Sequence, residues 1–304
     1  MTTGLLLEGG AMRGLYTAGV LDVFMQNHIS IDTIIGVSAG ALFGMNYKSK
    51  QMGRVLRYNK RFASSKNYMG FHSLITTGNI MNKDFCFNKI VNDLDPVDFE
   101  TYQNGKEDFY AVVTNMTTGK AEYIKIDDLK KEDQIEYLRA SGSMPFLSKP
   151  VIVHGKSYLD GGISDSIPIE KLMDMGCNKN IVVLTRPEDY RKKKSNTLFP
   201  KIYYRKYPYL AEAINNRYRI YNQQLDMVKD LEAAGKIFVL KPSRFVDIKR
   251  IERDAYSCAM KSHFRKFGNQ MSGSGNHLCE FTRAVFYLDH TPPAWTCHAQ
   301  HQYL

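Results

Sequence analysis

Two short apolar runs near the N-terminus, each followed by a glycine turn and a helical pattern, constrain the fold of this chain most strongly. The first run, 5–7, leads into Gly9 and Gly10, and the second run, 33–35, ends at Gly36. After the first turn, apolar residues recur three or four positions apart from Tyr16, which is the spacing of a helix that buries one face, and after the second turn a helix of small residues is predicted from Ala39. The pattern predicts strand, turn and helix twice in succession, the arrangement from which helix-covered parallel sheets are built.

The same alternation continues along most of the chain. Further strands are predicted at 109–113, 121–126, 151–153, 181–184 and 237–240. Helical patterns lie near 82–91, 131–139, 169–175 and 209–231. We therefore predict an α/β fold with a mostly parallel central sheet and helices on both of its faces.

The bulk composition of the 304 residues, 43% hydrophobic and 24% charged, is that of a globular protein and argues against disorder. We expect no secretory signal, and the longest mostly apolar stretch, 34–45, is shorter than the ~20 residues that span a bilayer. Five cysteines, an odd number without CxxC spacing, favour a reducing cytoplasm over a disulfide framework.

The motif Gly36-Val37-Ser38-Ala39-Gly40 matches G-x-S-x-G, in which a serine occupies a sharp turn between a strand and a helix. The turn exposes the hydroxyl at a helix N-terminus, where developing negative charge is favoured. Chance alone would produce such a match in about one chain of this length in ten. Its position after an apolar strand and before a helix makes Ser38 a candidate nucleophile.

The loop Gly9-Gly10-Ala11-Met12-Arg13-Gly14 follows the first strand and is open to three interpretations. Glycine-rich backbone can aim its N–H groups at the oxyanion of an acyl-transfer intermediate, and Arg13 could add a fixed positive charge. The loop could instead hold a phosphate, although its spacing differs from G-x-G-x-x-G. It could also be a tight turn whose glycines serve packing alone.

A serine nucleophile needs a base, and Asp160-Gly161-Gly162 supplies a carboxylate where an ordinary turn is the usual interpretation. Histidine is the common base, but His154, the best placed, lies in an apparent exposed hairpin. A carboxylate can replace it if burial raises its pKa above the reference value of about 3.9.

The three motifs, in this order, resemble those of the patatin-like phospholipase family. Supporting similarity lies in 139–141, 144–146 and 165–168, and the stretch 204–242 resembles the bacterial branch of the family. The resemblance covers roughly 4–250. It implies a three-layer α/β/α fold in which a Ser-Asp dyad hydrolyses acyl esters of lipids through an acyl-enzyme, without metal or cofactor. We therefore predict an acyl hydrolase domain over 1–250.

Carried over position by position, the resemblance implies Ser38 as the nucleophile and Asp160 as the base. The residues that would form the oxyanion loop are Gly9, Gly10, Ala11 and Arg13. The glycines that would shape the surrounding turns are Gly14, Gly36, Gly40, Gly161 and Gly162. Ala11 departs from the family, since many members have a third glycine there, and its methyl group narrows the backbone conformations open to the loop.

The predicted tail, 251–304, is atypical. Three of the five cysteines, five of the eight histidines and the only tryptophan lie in the last 49 residues. Their spacing differs from that of zinc modules, so we expect no metal site there. Divergence from the family or an altered reading frame would explain this composition.

The window 186–221 holds ten Lys or Arg against three acids, a charge of +7, interleaved with tyrosines. Such a composition suits peripheral contact with an anionic membrane surface. No nucleic-acid module accompanies it, so we expect no nucleic-acid partner. A solvated helix face with buried tyrosines is an equal alternative.

Three other functions are compatible with the residues. The chain could be a general carboxylesterase for soluble esters, or a catalytically silent protein with a regulatory or membrane-binding role on the same fold. It could also use a His-based triad through His154. Intact Ser38 and Asp160 argue against the silent form.

Overall fold

The computed structural model describes residues 1–195 and 197–243. Its centre is one mixed sheet of eight strands in the order β5-β6-β3-β2-β1-β7-β8, with β4 beside β3. The strands are β1 (Thr3–Leu7), β2 (Thr33–Val37), β3 (Asp108–Asn115), β4 (Ala121–Lys125), β5 (Val151–Val153), β6 (Lys156–Asp160), β7 (Lys179–Val183) and β8 (Ile237–Leu240).

Helices surround this sheet. They are α1 (Leu15–Gln26), α2 (Ala39–Lys48), α3 (Arg54–Phe62), α4 (Phe71–Thr77), α5 (Phe99–Asn104), α6 (Glu132–Ser141), α7 (Ile169–Asp174), α8 (Leu198–Tyr203) and α9 (Pro208–Ala233). A π-type helix, Phe85–Leu94, lies between α4 and α5. Short 3₁₀ turns follow β1 at Ala11–Gly14 and β6 at Gly161–Ile163.

Alternate residues of β1 show why the fold has three layers. Leu5 and Leu7 pack into the apolar cluster that contains Phe24 of α1, on one face of the sheet. Leu6 packs into a second cluster with Leu172 of α7 and Leu225 of α9. Because successive strand side chains point to opposite faces, β1 is buried on both sides.

The order of strand pairing creates two differently built halves of the sheet. The strands β3, β2, β1, β7 and β8 are paired in parallel. The hairpin β5-β6 and the strand β4 are antiparallel additions to β3. The predicted α/β fold is therefore confirmed, with its parallel part concentrated in five neighbouring strands.

Both β2 and β6 pair with β3, and the register of these pairs positions the site. Val37, the last residue of β2, is opposite Val112, while Asp160, the last residue of β6, is opposite Val113. The strand β4 pairs with the same stretch of β3, so it takes the other edge. The two strands β2 and β6 consequently lie end to end along one edge of β3, with their final residues adjacent.

The predicted strands all appear, whereas β6 and the helices α3, α4, α5 and α8 were not among the predicted elements. The helix expected near 82–91 is present with π-type hydrogen bonding over Phe85–Leu94. The boundary near 250 and the tail 251–304 lie outside the described residues, so the predicted division into domain and tail stays a prediction. Within the described chain, no helix combines the length and apolar character needed to cross a membrane.

Candidate active site

Ser38 occupies a strained turn between β2 and α2. Its backbone has φ 54° and ψ −122°, a conformation that non-glycine residues rarely adopt. A Cβ atom at Gly36 would lie 2.5 Å from Cα of Ala41, and one at Gly40 would lie 2.2 Å from the carbonyl oxygen of Leu7. The two motif glycines are therefore required for the tight turn that brings Ser38 to the N-terminal end of α2.

Asp160 meets Ser38 at the end of β6. The Ser38 hydroxyl donates a hydrogen bond of 2.7 Å to Oδ2 of Asp160, and the Gly162 N–H donates one of 2.8 Å to Oδ1. Asp160 is 4% exposed. A Cβ atom at Gly161 would lie 2.2 Å from the carbonyl oxygen of Val112, so the glycine after Asp160 lets β6 end close against β3. Both predicted site residues are thus brought together by the structure.

The surroundings of Asp160 favour its action as a proton acceptor. Burial raises the pKa of the carboxyl above its ordinary value of 3.8, because the charged form loses its hydration. The positive charge of Arg217, the hydrogen bonds from Ser38 and Gly162, and the charge of Lys192 act in the opposite direction. A carboxylate with a raised pKa accepts a hydroxyl proton more readily than an exposed carboxylate does.

The glycine-rich loop lies directly beside the nucleophile. A Cβ atom at Gly9 would lie 2.7 Å from Cβ of Ser38, and one at Gly10 would lie 2.6 Å from Oγ1 of Thr185. Ala11 has a φ of 49°, so its methyl group is accommodated in a left-handed conformation, at a cost of roughly 1–2 kcal/mol. The departure from glycine at this position is therefore tolerated with strain.

Arg13 and Gly14 affect the shape of the glycine-rich loop and its packing on α2. Arg13 is 9% exposed, and its backbone N–H donates to the carbonyl oxygen of Gly10 at 3.1 Å, which closes the turn. A Cβ atom at Gly14 would lie 2.9 Å from the ring of Phe43. Gly14 accordingly permits close packing of the loop on α2, while Arg13 fixes the shape of the loop.

Three buried residues, Glu8, Thr185 and Tyr221, form a hydrogen-bonded group that contacts the glycine-rich loop. The sequence did not single them out as a group. The Glu8 carboxylate accepts hydrogen bonds from the Thr185 N–H at 2.6 Å and from the Tyr221 hydroxyl at 2.7 Å. The Thr185 hydroxyl also donates to the carbonyl oxygen of Gly9 at 2.9 Å. Burial, followed by the Glu8 charge, raises the pKa of Tyr221, which keeps it a hydrogen-bond donor.

Arg217 of α9 lies beside the candidate site, and no motif in the sequence singled it out. Its guanidinium lies close to Gly162, where an added Cβ atom would be 3.0 Å from a terminal nitrogen. Ser141 contributes as well, since its hydroxyl oxygen accepts the Ser38 N–H at 3.0 Å. Ser141 lies in the segment 139–141 and Arg217 lies in the segment 204–242, both of which resemble the family, but no motif singled out Arg217.

His154 lies in the turn between β5 and β6, at the opposite end of β6 from Asp160. Its side chain is 70% exposed, and its ring nitrogen Nε2 is 3.2 Å from the carboxylate of Asp133. Because Ser38 already donates to Asp160, this geometry gives a His-based triad no support.

An apolar pocket opens beside Ser38 and runs between α2, α3, the π-type helix and α6. Its cavity volume is about 80 Å³. Ala11, Ser38 and Met144 line it near the site. Its apolar wall includes Leu42, Phe43, Met69, Met81, Ile90 and Leu138. The pocket therefore offers an alkyl chain a water-poor environment next to the serine hydroxyl.

The described residues contain no group of three or more His, Cys, Asp or Glu side chains placed to hold a metal ion. Cys86 and Cys177 are free thiols. The cysteines and histidines of the tail lie outside the described residues.

Comparison with known families identifies the family to which this chain belongs. A family model described as patatin-like phospholipase matches residues 5–173, which is more than half of the chain. The chain belongs to the patatin-like phospholipase family. A second model, a domain of unknown function (DUF6363), matches residues 207–257.

Individual relatives share the family region. The uncharacterized protein YjjU of Escherichia coli K12 is 29% identical over 189 residues, which are 60% of this chain and 52% of YjjU. Lysophospholipase nte1 of Aspergillus niger is 27% identical over 58% of this chain and 11% of its own length. Lysophospholipase NTE1 of Kluyveromyces lactis is 29% identical over 57% of this chain and 12% of its own length. The match thus spans about half of YjjU and only a small part of the lysophospholipases.

Among solved structures, VipD from Legionella pneumophila has 12% sequence identity to this chain and a TM-score of 0.37, with 86% of this chain and 66% of VipD covered. This similarity is too low to inform the site.

Proposed function

We propose that this family member is a serine acyl hydrolase of lipid esters, with Ser38 as the nucleophile and Asp160 as the base. The observation that carries the proposal is the 2.7 Å hydrogen bond from the Ser38 hydroxyl to the buried Asp160 carboxylate. The bond lies at the mouth of an apolar pocket that Ser38 itself lines.

The geometry supports a two-step reaction. In the first step, Ser38 Oγ attacks the ester carbonyl while Asp160 takes the hydroxyl proton and then delivers it to the departing alcohol. In the second step, water attacks the acyl-enzyme, Asp160 accepts a proton from that water, and Ser38 regains a hydrogen on release of the acid. In this proposal the backbone N–H groups of Gly9, Gly10 and Ala11 stabilise the oxyanion in both steps, which the closeness of Gly9 to Ser38 supports.

The apolar pocket favours lipid esters over small soluble esters. Burying each methylene of an alkyl chain contributes about 0.8 kcal/mol, so a chain that fills the pocket binds far better than a short acyl group. The names of the relatives, lysophospholipases among them, agree with this substrate class. A general carboxylesterase would instead prefer short chains.

Fluorophosphonate labelling of wild type, Ser38→Ala and Asp160→Asn tests the proposal, together with hydrolysis of p-nitrophenyl esters and a lysophospholipid. We expect labelling to disappear in Ser38→Ala, to collapse in Asp160→Asn, and hydrolysis to increase with chain length. Labelling that persists in folded Ser38→Ala would identify another nucleophile. No labelling of wild type, even with liposomes, would favour the catalytically silent binding protein.

The exposed surface of α8 supports our further proposal that 186–221 contacts a lipid surface. Leu198 is 62% exposed, Ile202 is 63% exposed and Tyr203 is 56% exposed, all within one short helix. Lys193 and Lys194 are exposed nearby. Apolar side chains beside cations suit an interface with anionic headgroups.

The alternative of buried tyrosines applies to part of the window. Tyr204 is 6% exposed and Tyr221 is 2% exposed. The ammonium of Lys192 lies 4.4 Å from the centre of the Tyr221 ring. The window therefore combines a buried inner face with an exposed apolar one on α8.

The exposed face of α8 borders the site. The rings of Phe146 and Tyr203 are 5.2 Å apart, and the Phe146 N–H donates to the Tyr204 hydroxyl at 3.0 Å. Met144, two residues before Phe146, lines the pocket. A lipid surface that contacted α8 would thus lie next to the pocket mouth.

Sedimentation with anionic and with neutral liposomes tests this contact. We expect Leu198→Ser with Ile202→Ser, and separately Lys193→Gln with Lys194→Gln and Lys201→Gln, to reduce binding to anionic liposomes. The matched control is Ile152→Ser, because Ile152 is 68% exposed on β5, outside the window. Binding that both sets of substitutions leave unchanged would contradict the contact.

A further inference from the structure

A second cavity, itself open to solvent, shares a wall with the apolar pocket. Its cavity volume is about 730 Å³, and it lies between the π-type helix and the start of α6. Phe87, Val91 and Ile135 line both this cavity and the pocket beside Ser38. The two spaces are consequently separated by a single layer of side chains.

The second cavity has an apolar floor and a polar rim. Phe99 and Leu129 join the three shared side chains on the floor. The rim includes Lys83, Asp84, Asn88, Lys130, Glu132 and Glu136. The rim charges are partly paired with one another, since Lys83 lies 3.0 Å from Glu136. The apolar floor suits an uncharged alkyl segment better than an ionic ligand.

Two of the three residues in the shared wall, Phe87 and Val91, belong to the π-type helix. Phe87 and Val91 are four residues apart on the π-type helix, so they lie on one face of it. The Asp95 N–H donates to the carbonyl oxygen of Ile90 at 3.2 Å, the wide spacing typical of π-type turns. Helices of this type are rare and occur frequently at functional sites. Phe87 and Ile135 are only partly buried, so a rotamer change of either side chain needs little repacking of the core.

The extent of the first pocket along α2 limits the length of acyl chain that it can hold. Ser38, Leu42 and Met45 line the pocket along one side of α2. Seven residues of helix rise about 10 Å, which matches an extended chain of about eight carbons. For acyl chains that are much longer, the cavity across the shared wall offers further apolar surface.

We propose that the second cavity is the distal binding site for long acyl chains, and that Phe87, with Val91 and Ile135, is the gate that sets chain-length preference. This inference rests on the proposed acyl hydrolase function. Short acyl groups end before the gate, whereas chains of twelve or more carbons displace the Phe87 ring and occupy the apolar floor beyond it.

Hydrolysis of p-nitrophenyl esters of increasing chain length in mixed micelles tests the gate. We expect Phe87→Ala to raise the kcat/KM ratio of the palmitoyl to the octanoyl ester by about tenfold or more, the size of a typical pocket effect. Phe87→Trp should lower the same ratio. Phe85→Ala is the matched control, because the Phe85 ring packs 5.3 Å from Phe62 in the core instead. It should change all chain lengths in parallel.

A binding measurement tests the gate independently of the proposed hydrolysis. Calorimetric titration of palmitate and octanoate into Ser38→Ala, with and without Phe87→Ala, needs no turnover. We expect the added substitution to strengthen palmitate binding relative to octanoate binding. Unchanged ratios in both assays would overturn the gate, even if hydrolysis depends on Ser38. Absence of Ser38-dependent hydrolysis with an altered binding ratio would instead overturn the proposed reaction and keep the second cavity as a chain-binding site.

Discussion

Ser38 and Asp160 come from two halves of the sheet that position them in different ways. Ser38 lies in the parallel half, where glycines within two residues of it permit the turn between β2 and α2. Asp160 lies in the antiparallel half, where the pairing of β6 with β3 decides its position. The comparison teaches that the geometry of Ser38 is local, whereas that of Asp160 depends on a contact between distant segments.

The strongest test of the antiparallel half replaces the base itself. We expect Asp160→Asn to lower turnover by about 10² to 10⁴, the usual contribution of a general base. The side chain keeps its shape, and its amide oxygen can still accept the Gly162 N–H, so the fold should be retained. Steady-state kinetics beside circular dichroism measure both effects, and near-normal turnover would show that Asp160 is not the base.

The same substitution has a pH signature with a defined sign. Burial raises the pKa of Asp160 in the fold above its ordinary 3.8, so the ionised carboxylate costs stability. The favourable contribution is complete below the unfolded pKa and is lost as pH rises through the folded pKa. Asp160→Asn should therefore exceed wild type in free energy of unfolding at neutral pH, with a difference that shrinks toward pH 3.8. Wild-type activity should rise across the same range.

A glycine substitution tests whether the pairing of β6 with β3 positions the base. A Cβ atom in Gly161→Ala would lie 2.2 Å from the backbone oxygen of Val112, so we expect a loss of about 3 kcal/mol and slower labelling of Ser38. Gly155→Ala is the control, since Gly155 has a φ of 74° and open space around it. It should cost about 1 kcal/mol and leave labelling unchanged. Urea unfolding distinguishes the two, and equal effects would contradict the role of this contact.

In the parallel half, we expect a smaller effect from relieving the backbone strain at Ser38. We expect Ser38→Gly to be more stable than Ser38→Ala by about 1 kcal/mol, because glycine adopts the positive φ of 54° without strain. Thermal denaturation of the two inactive variants measures this difference. Equal stabilities would mean that the turn stores no strain at this residue.

The smallest effect is expected at His154. Its exposed pairing with Asp133 should contribute at most about 0.5 kcal/mol, and His154→Ala should keep full turnover. A large loss of kcat would restore the His-based triad as an explanation.

The sequence predicted the local half of the site better than the distant half. Strand, glycine turn and helix around Ser38 follow from residues 33–40, and the structure shows that arrangement. The Asp160 turn looked ordinary by itself, and only the resemblance to a family pointed to a base. Its partner in the hydrogen bond is 122 residues away, a separation that no local pattern reports.

The supporting residues were missed for the same physical reason. Tyr221 and Glu8 are 213 residues apart in sequence, and their contact forms only when α9 packs on the sheet. The pocket walls come from four helices. Of these, α3 was not predicted, and the helix predicted near 82–91 has π-type hydrogen bonding. Cavity shape depends on how such elements pack, which periodicity does not encode.

The family match at residues 5–173 stops before two strands that the sheet needs. The strand β7 pairs with β1 along its whole length, and β8 pairs with β7. A recombinant fragment ending at 173 would leave β1 as an uncovered edge strand, with apolar side chains and unpaired backbone N–H and C=O groups that are a template for aggregation. Fragments intended for biochemistry should therefore extend beyond Leu240, and poor solubility of shorter ones would reflect the missing strands.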